Sequence, residues 1–210
     1  MPESAATKRM LADALKQLIN EHPLEKVTVV DICQRCGMSR KGFYYHFKDK
    51  YDLLNWIFYT EFFESALPTE PSEETLWDFF NKICAYLYEN RRFYVAAFAV
   101  KGQNSFSEYF SELIEPLTES YLDRVFESSA YHAFYAGFFT DAFRLAIVRW
   151  LRGQTQILPG EFVDLLKNAV ASLAQRALSD PSFGNLYVRA QAPCDPPDAP
   201  SSDRSTRPPD

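Results

Sequence analysis

No run of 18 or more uncharged apolar residues occurs in this 210-residue chain, which excludes a membrane-spanning helix. The first residues carry no apolar block of the signal-peptide kind, so a cytoplasmic protein is expected. Glycine is scarce, with 7 residues. None of them falls in a Gly-x-Gly-x-x-Gly or Gly-x-x-x-x-Gly-Lys phosphate cradle, or in a Gly-x-Ser-x-Gly elbow. The three histidines are scattered: His22 precedes a proline, His46 lies on a short charged helix, and His132 starts an apolar helix, where a satisfied core group is the simpler reading. Without a nucleophile, base and metal constellation, no enzyme and no cofactor are expected.

Cysteine is equally sparse: Cys33, Cys36, Cys84 and Cys194. The Cys33-x-x-Cys36 pair has no second ligand pair for zinc and no βαβ context for a redox dithiol, so no metal is expected. Net positive charge is also missing, the total being −6. The deficit is uneven. Residues 1–55 hold nine Lys/Arg against seven Asp/Glu, a net of +2, and the remainder holds thirteen against twenty-one, a net of −8. A DNA-binding head on an acidic body shows that asymmetry.

What is present is concentrated in residues 28–50. Thr28 is a helix N-cap residue, and Val29, Ile32, Cys33 and Cys36 follow at i, i+3, i+4 and i+7, one apolar stripe of a two-turn helix. Gly37 stands where that helix ends in a left-handed conformation. Ser39 caps a second short helix running through Phe47. Two short helices around a glycine turn have the spacing of a helix-turn-helix. On the second helix Phe43 and Phe47 share a core-facing side, while Lys41, Gly42 and Tyr45 face away, flanked by Tyr44, His46 and Lys48. Cations and phenolic hydroxyls reach phosphate oxygens, and some also reach base edges. Gly42, costly in a helix, reads as allowing close approach to a groove or phosphate.

Helical periodicity continues from Ser4 to about Leu178, so an all-α fold is expected. A first helix carries Leu11, Ala14, Leu15, Leu18 and Ile19, and a fourth starts near Lys50 and ends before Pro68. Later helices span about 72–90, 91–101, 105–128 with a bend at Pro116, 131–151 and 161–178. The 131–151 segment is apolar nearly all round, which predicts burial on more than one side. From Pro181 onward, 7 of the 13 prolines appear without periodicity, and about 189–210 reads as disordered.

Several of these runs resemble the TetR family of bacterial regulators. The shared features are Ile32-Cys33, Gly37-Met38-Ser39, Phe43-Tyr44-Tyr45-His46-Phe47, Lys50 and Asp52-Leu53, over about 50 residues. Lys41 and Gly42 depart from the family's usual glycine and small hydroxyl residue. The resemblance implies a three-helix helix-turn-helix DNA-binding domain (1–50) and a helical effector-binding and dimerisation domain (51–180, with 51–66 as linker helix), followed by a Pro-rich tail (181–210). It implies a double-stranded operator as partner. Ser39, Arg40, Tyr44, Tyr45, His46 and Lys50 would hold phosphates, Lys41 and Gly42 would face the groove, Thr28 would assist, and Lys48 flanks them as a further DNA-binding candidate.

The last two helices carry more apolar surface than a small bundle buries. The resemblance implies a homodimer built on them, with Phe143, Ile147, Trp150, Phe162, Leu165, Leu166, Val170 and Leu173 as candidate contacts. Aromatic density in the body could line an effector pocket, with Trp77, Tyr86, Tyr94, Phe98, Phe110, Tyr135, Phe138 and Phe139 as candidates. Residues 39–47 and Trp150-Leu151-Arg152-Gly153 are similar to the subgroup that includes regulators of dihydroxyacetone kinase operons. There a protein co-regulator can activate transcription, whereas repression released by a small ligand is the commoner family behaviour.

Overall fold

Residues 2–66, 76–102, 105–125, 131–153 and 156–179 are described by the computed structural model. Every regular element among them is helical. The amphipathic α1 (Pro2–Glu21) ends before Pro23, which cannot continue it, and a 3₁₀ turn (Leu24–Lys26) leads into α2 (Val29–Cys36) and α3 (Arg40–His46). Leu11, Leu15, Leu18, Ile32, Phe43 and Leu53 close the small core beneath them.

The fourth helix is not uniform. α4 (Lys50–Phe58) passes into a π-helical turn (Tyr59–Phe63) and then α5 (Glu64–Ala66). The Glu64 amide reaches back to the Tyr59 carbonyl, five residues away, so one extra residue is accommodated. That insertion lets Phe58, Phe62 and Phe63 all enter the body core. Phe58 is its hub, with ring centroids 5.3 Å from Phe106, 5.8 Å from Tyr94 and 5.8 Å from Phe110.

The body comprises α6 (Leu76–Glu89), α7 (Arg91–Ala97), α8 (Phe106–Val125), α9 (His132–Arg152) and α10 (Pro159–Ser179). α8 and α9 form its most extensive pairing. The Thr140 hydroxyl donates to Thr118 Oγ1 (3.3 Å) at their buried seam, and α8 runs as one helix through Pro116. Within the protomer α9 buries one side. Ala136, Thr140, Phe143, Ile147 and Trp150 point inward, but Phe134, Phe138 and Leu145 are exposed.

Residues Met1–Leu166 form one compact unit and a second begins at Lys167. Within the first, α1 packs on both α4 and α7, so α1 joins the small N-terminal domain to the body. The Pro-rich segment 181–210 lies outside the described residues.

Candidate nucleic-acid interface

The exposed end of the small domain is built by two helix starts and one turn. At the first start, Asp31 N–H donates to Thr28 Oγ1 (3.2 Å), and Thr28 N–H donates to Asp31 Oδ2 (2.8 Å), a reciprocal capping box. The Thr28 hydroxyl also donates to Asp31 Oδ2 (2.7 Å), and these bonds hold the Asp31 carboxyl below its usual range. At the second start, Gly42 N–H donates to Ser39 Oγ (3.1 Å). Between them Gly37 has φ +69°, the left-handed conformation that ends α2 and turns the chain into α3. An ion pair from Arg35 to Glu21 (2.6 Å) fastens α2 to the end of α1.

α3 then divides by face. Phe43 is fully buried, and Phe47 at its C-cap packs its ring 5.7 Å from Trp56. On the other side Arg40, Lys41, Tyr44 and Lys48 are exposed, and Tyr45 retains 83% of its accessible surface. The Arg40 guanidinium lies 6.0 Å from the Tyr44 ring, and the half-buried His46 meets the Tyr45 ring edge-to-face at 5.0 Å. Cations, phenols and an imidazole thus share the solvent-facing side of α3. This arrangement offers donors to phosphate and base edges and carries no catalytic grouping.

Two candidate contacts have other roles. A Cβ on Gly42 would meet Met38 Cγ at 3.0 Å and Met38 Sδ at 3.2 Å. Glycine therefore lets α3 pack closely on the Met38 side chain of the preceding turn. Lys50 is half-buried, and its ammonium donates to the carbonyls of Leu24 (2.8 Å), Glu25 (3.1 Å) and Val27 (2.7 Å). All three protons close the 3₁₀ turn, so Lys50 is a strut rather than a phosphate ligand; burial pushes its pKa down. Cys33 is buried in the same core, its thiol pushed up by burial, and Cys36 Sγ donates to the Ile32 carbonyl (3.2 Å). No group of three or more His, Cys, Asp or Glu that could hold a metal exists among the described residues.

A chain of polar contacts links this head to the body, and sequence reasoning missed it. Lys16 on α1 pairs with Glu61 in the π turn (2.5 Å). Tyr86 on α6 donates to Glu61 (3.1 Å), and the buried Tyr94 on α7 donates to Tyr86 (2.9 Å). Arg92 adds a hydrogen bond to the Asn20 carbonyl. These partners lie 8 to 72 residues apart, beyond any local pattern. Arg91 was also missed: its guanidinium donates to the carbonyls of Leu151 (2.6 Å) and Gly153, capping α9 inside the Trp150-Leu151-Arg152-Gly153 run.

The body candidates scatter. Tyr94, Phe98 and Phe110 pack ring against ring with Phe106 at 4.8–6.1 Å and belong to the core. Tyr86 is hydrogen-bonded as described, Trp77 packs edge-to-face on Phe80, Tyr135 and Phe139 are half-buried, and Phe138 is 58% exposed. Four proposed dimer residues are likewise internal. Phe143 stacks on Phe80 at 3.7 Å, Ile147 is fully buried, and Trp150 stacks on Phe162 at 4.4 Å. Leu166 is half-buried, and Leu165, Val170 and Leu173 on α10 are exposed.

A model of bacterial regulatory proteins of the tetR family matches residues 11–57, and one of a transcriptional regulator C-terminal region matches residues 74–172. The HTH-type dhaKLM operon transcriptional activator DhaS of Lactococcus lactis subsp. lactis (strain IL1403) is 30% identical over 135 residues, covering 63% of this chain and 69% of that protein. The chain belongs to the TetR family. A solved structure of a dihydroxyacetone kinase operon activator DhaS shares the fold at a TM-score of 0.54. It is 23% identical and covers 79% of this chain and 96% of its own. In TetR-family terms α2 and α3 are the helix-turn-helix of a DNA-binding regulator of transcription, and the chain is not an enzyme. Among the described residues no helix is long and apolar enough to cross a membrane.

Proposed function

We propose that this regulator binds a palindromic duplex as a homodimer, with α3 of each protomer in the major groove, and represses until a small ligand bound by the body releases it. The observation that carries the reading is the exposed face of Arg40, Lys41, Tyr44 and Tyr45 on a helix whose opposite side is anchored by Phe43. Exposed Leu165, Val170 and Leu173 support pairing through α10. A two-fold dimer sets half-sites about one helical turn, roughly 34–36 Å, apart. Selection of bound duplexes from a random pool, with the full chain and no ligand, tests it. Enrichment of an inverted repeat at that spacing is expected, and no enrichment at low salt overturns it.

A second reading is activation through a protein co-regulator. The description of the Lactococcus relative as a transcriptional activator favours it. Transcription in vitro from a promoter bearing the selected site separates the two: added regulator lowers transcript yield if it represses and raises it, with its co-regulator, if it activates.

A further inference from the structure

Nine lysines and arginines fall in residues 1–55, and the fold uses them differently. Lys16 pairs with Glu61, Arg35 pairs with Glu21, and the Lys50 ammonium is taken up by backbone carbonyls. The other six make no ion pair with any described residue. Arg40, Lys41 and Lys48 belong to the exposed side of α3 and its end. Lys8 lies elsewhere, on α1, and its ammonium is held in a definite place. It sits 5.5 Å from the ring centroid of Phe47 and 5.6 Å from that of Trp56, and the residue is half-buried. Phe47 is the C-cap of α3 and directly precedes the exposed Lys48. Asp52, one turn before Trp56 on α4, accepts from the Lys48 amide (2.9 Å) and forms no ion pair with Lys8. The two ends of α1 thus have different neighbours. Its last turns meet the π turn and α7, through Lys16 with Glu61 and the Asn20 carbonyl with Arg92. Lys8 stands at the joint between α3 and α4.

We propose that Lys8 is a further DNA contact: with α3 in the groove, its ammonium holds a backbone phosphate on the flank of the half-site, alongside Lys48. The assignment rests on the placement of α3 proposed above. Its physical basis is what the two rings supply and what they withhold. An aromatic face attracts an ammonium through its quadrupole and restricts where it goes. Unlike a carboxylate, it brings no opposite charge. The side chain is therefore ordered while its charge stays available, which lowers the entropy lost when a phosphate is bound. Cations of this kind make many of the phosphate contacts of DNA-binding proteins, and each contact releases counterions. A lysine that only covered Phe47 and Trp56 would act through its apolar stem. Glutamine keeps part of that stem and loses the charge, so the two roles separate by substitution.

Fluorescence anisotropy of a selected duplex, titrated with the full chain between about 50 and 500 mM salt, tests it. Lys8→Gln should weaken binding roughly tenfold or more at the low end. It should also make the slope of log affinity against log salt shallower by about 2, one contact per protomer of a dimer. The loss should fade as salt rises, and Lys8→Arg should keep the wild-type slope. Circular dichroism should show the same helix content and a melting temperature within a few degrees. Unchanged affinity overturns the proposal. So does a loss by the same factor at every salt concentration, which is the mark of a packing role. Tyr45→Ala, measured in parallel, keeps this inference apart from the reading beneath it. An unaltered slope in Lys8→Gln beside a weakened Tyr45→Ala sinks the Lys8 contact alone. Both variants binding as the wild type does, or a wild-type chain that binds no duplex at low salt, sinks the α3 placement with it.

Discussion

At the scale of single residues, outward direction and chemical commitment separate the groups that can meet DNA from those that hold the head together. Tyr45 is the most exposed aromatic side chain of α3, keeping 83% of its accessible surface. Tyr45→Ala should therefore weaken duplex binding about tenfold across all sequences, with the salt slope kept because a phenol releases no counterion. Unchanged affinity would remove α3's polar side from the interface. Lys50 behaves oppositely. Lys50→Met leaves three carbonyls of the 3₁₀ turn without their donor and should destabilise the fold by about 2 kcal/mol. Thermal unfolding checks it, and a loss of DNA affinity with normal stability would return Lys50 to the phosphate contacts.

Gly42 provides a third test, because the sequence reads it as facing the groove and the structure sets its Cβ direction toward Met38. Glycine in a helix interior costs roughly 1 kcal/mol relative to alanine, and its Cβ direction points at Met38, a flexible side chain. Gly42→Ala should keep or slightly raise stability and leave DNA affinity unaltered. Lost binding by a stable Gly42→Ala protein would show that the backbone does approach the groove.

At the scale of elements, the decisive features are joints. The π turn brings Phe58, Phe62 and Phe63 into the body while its Glu61 faces Lys16 of α1. One carboxylate therefore joins the linker helix to the head and, through Tyr86 and Tyr94, to the body. The Lys16–Glu61 pair is about two-thirds buried, and an ion pair of that exposure adds little net stability, typically ~0–1 kcal/mol. Its value lies in fixing orientation. Glu61→Gln should leave the melting temperature within a few degrees while shifting the response of DNA affinity to the effector or co-regulator. Measuring duplex affinity with and without that factor checks it; an identical response would make the contact incidental. The Arg91 bonds to Leu151 and Gly153 are a structural counterpart, a cation placed on the carbonyl end of α9 where the helix dipole favours it.

At the scale of the whole molecule, apolar surface is divided between core and partner in a way that helix periodicity does not reveal. Phe143, Trp150 and Phe162 are satisfied within the protomer by stacking on Phe80 and on one another. Leu165, Val170 and Leu173, on the same kind of stripe, remain exposed. Leu173→Glu, combined with Leu165→Glu, should turn the protein monomeric in sedimentation with helix content preserved. Phe143→Glu should instead unfold it, because a charge placed in the stacked core has no partner there. A dimer that survives the double leucine change would move the interface away from α10.

Local physics determined a large share of this protein before any tertiary structure. The capping box at Thr28, the left-handed turn at Gly37, the N-cap at Ser39 and the inward Phe43 each depend on groups within a few residues, so short-range spacing is enough to specify them. The same holds for the helical character of the body and the polar side of α3. Tertiary structure alone decided the rest. That Lys50 is a strut, that α9 buries one side within the protomer, and that Lys16 meets Glu61 all turn on which surfaces come together from distant parts of the chain. An apolar stripe specifies that a face will be covered, and a charged group that it will be solvated or paired. Neither names its partner, because burial depends on total area removed from water and is indifferent to whether the covering atoms belong to the same chain or another.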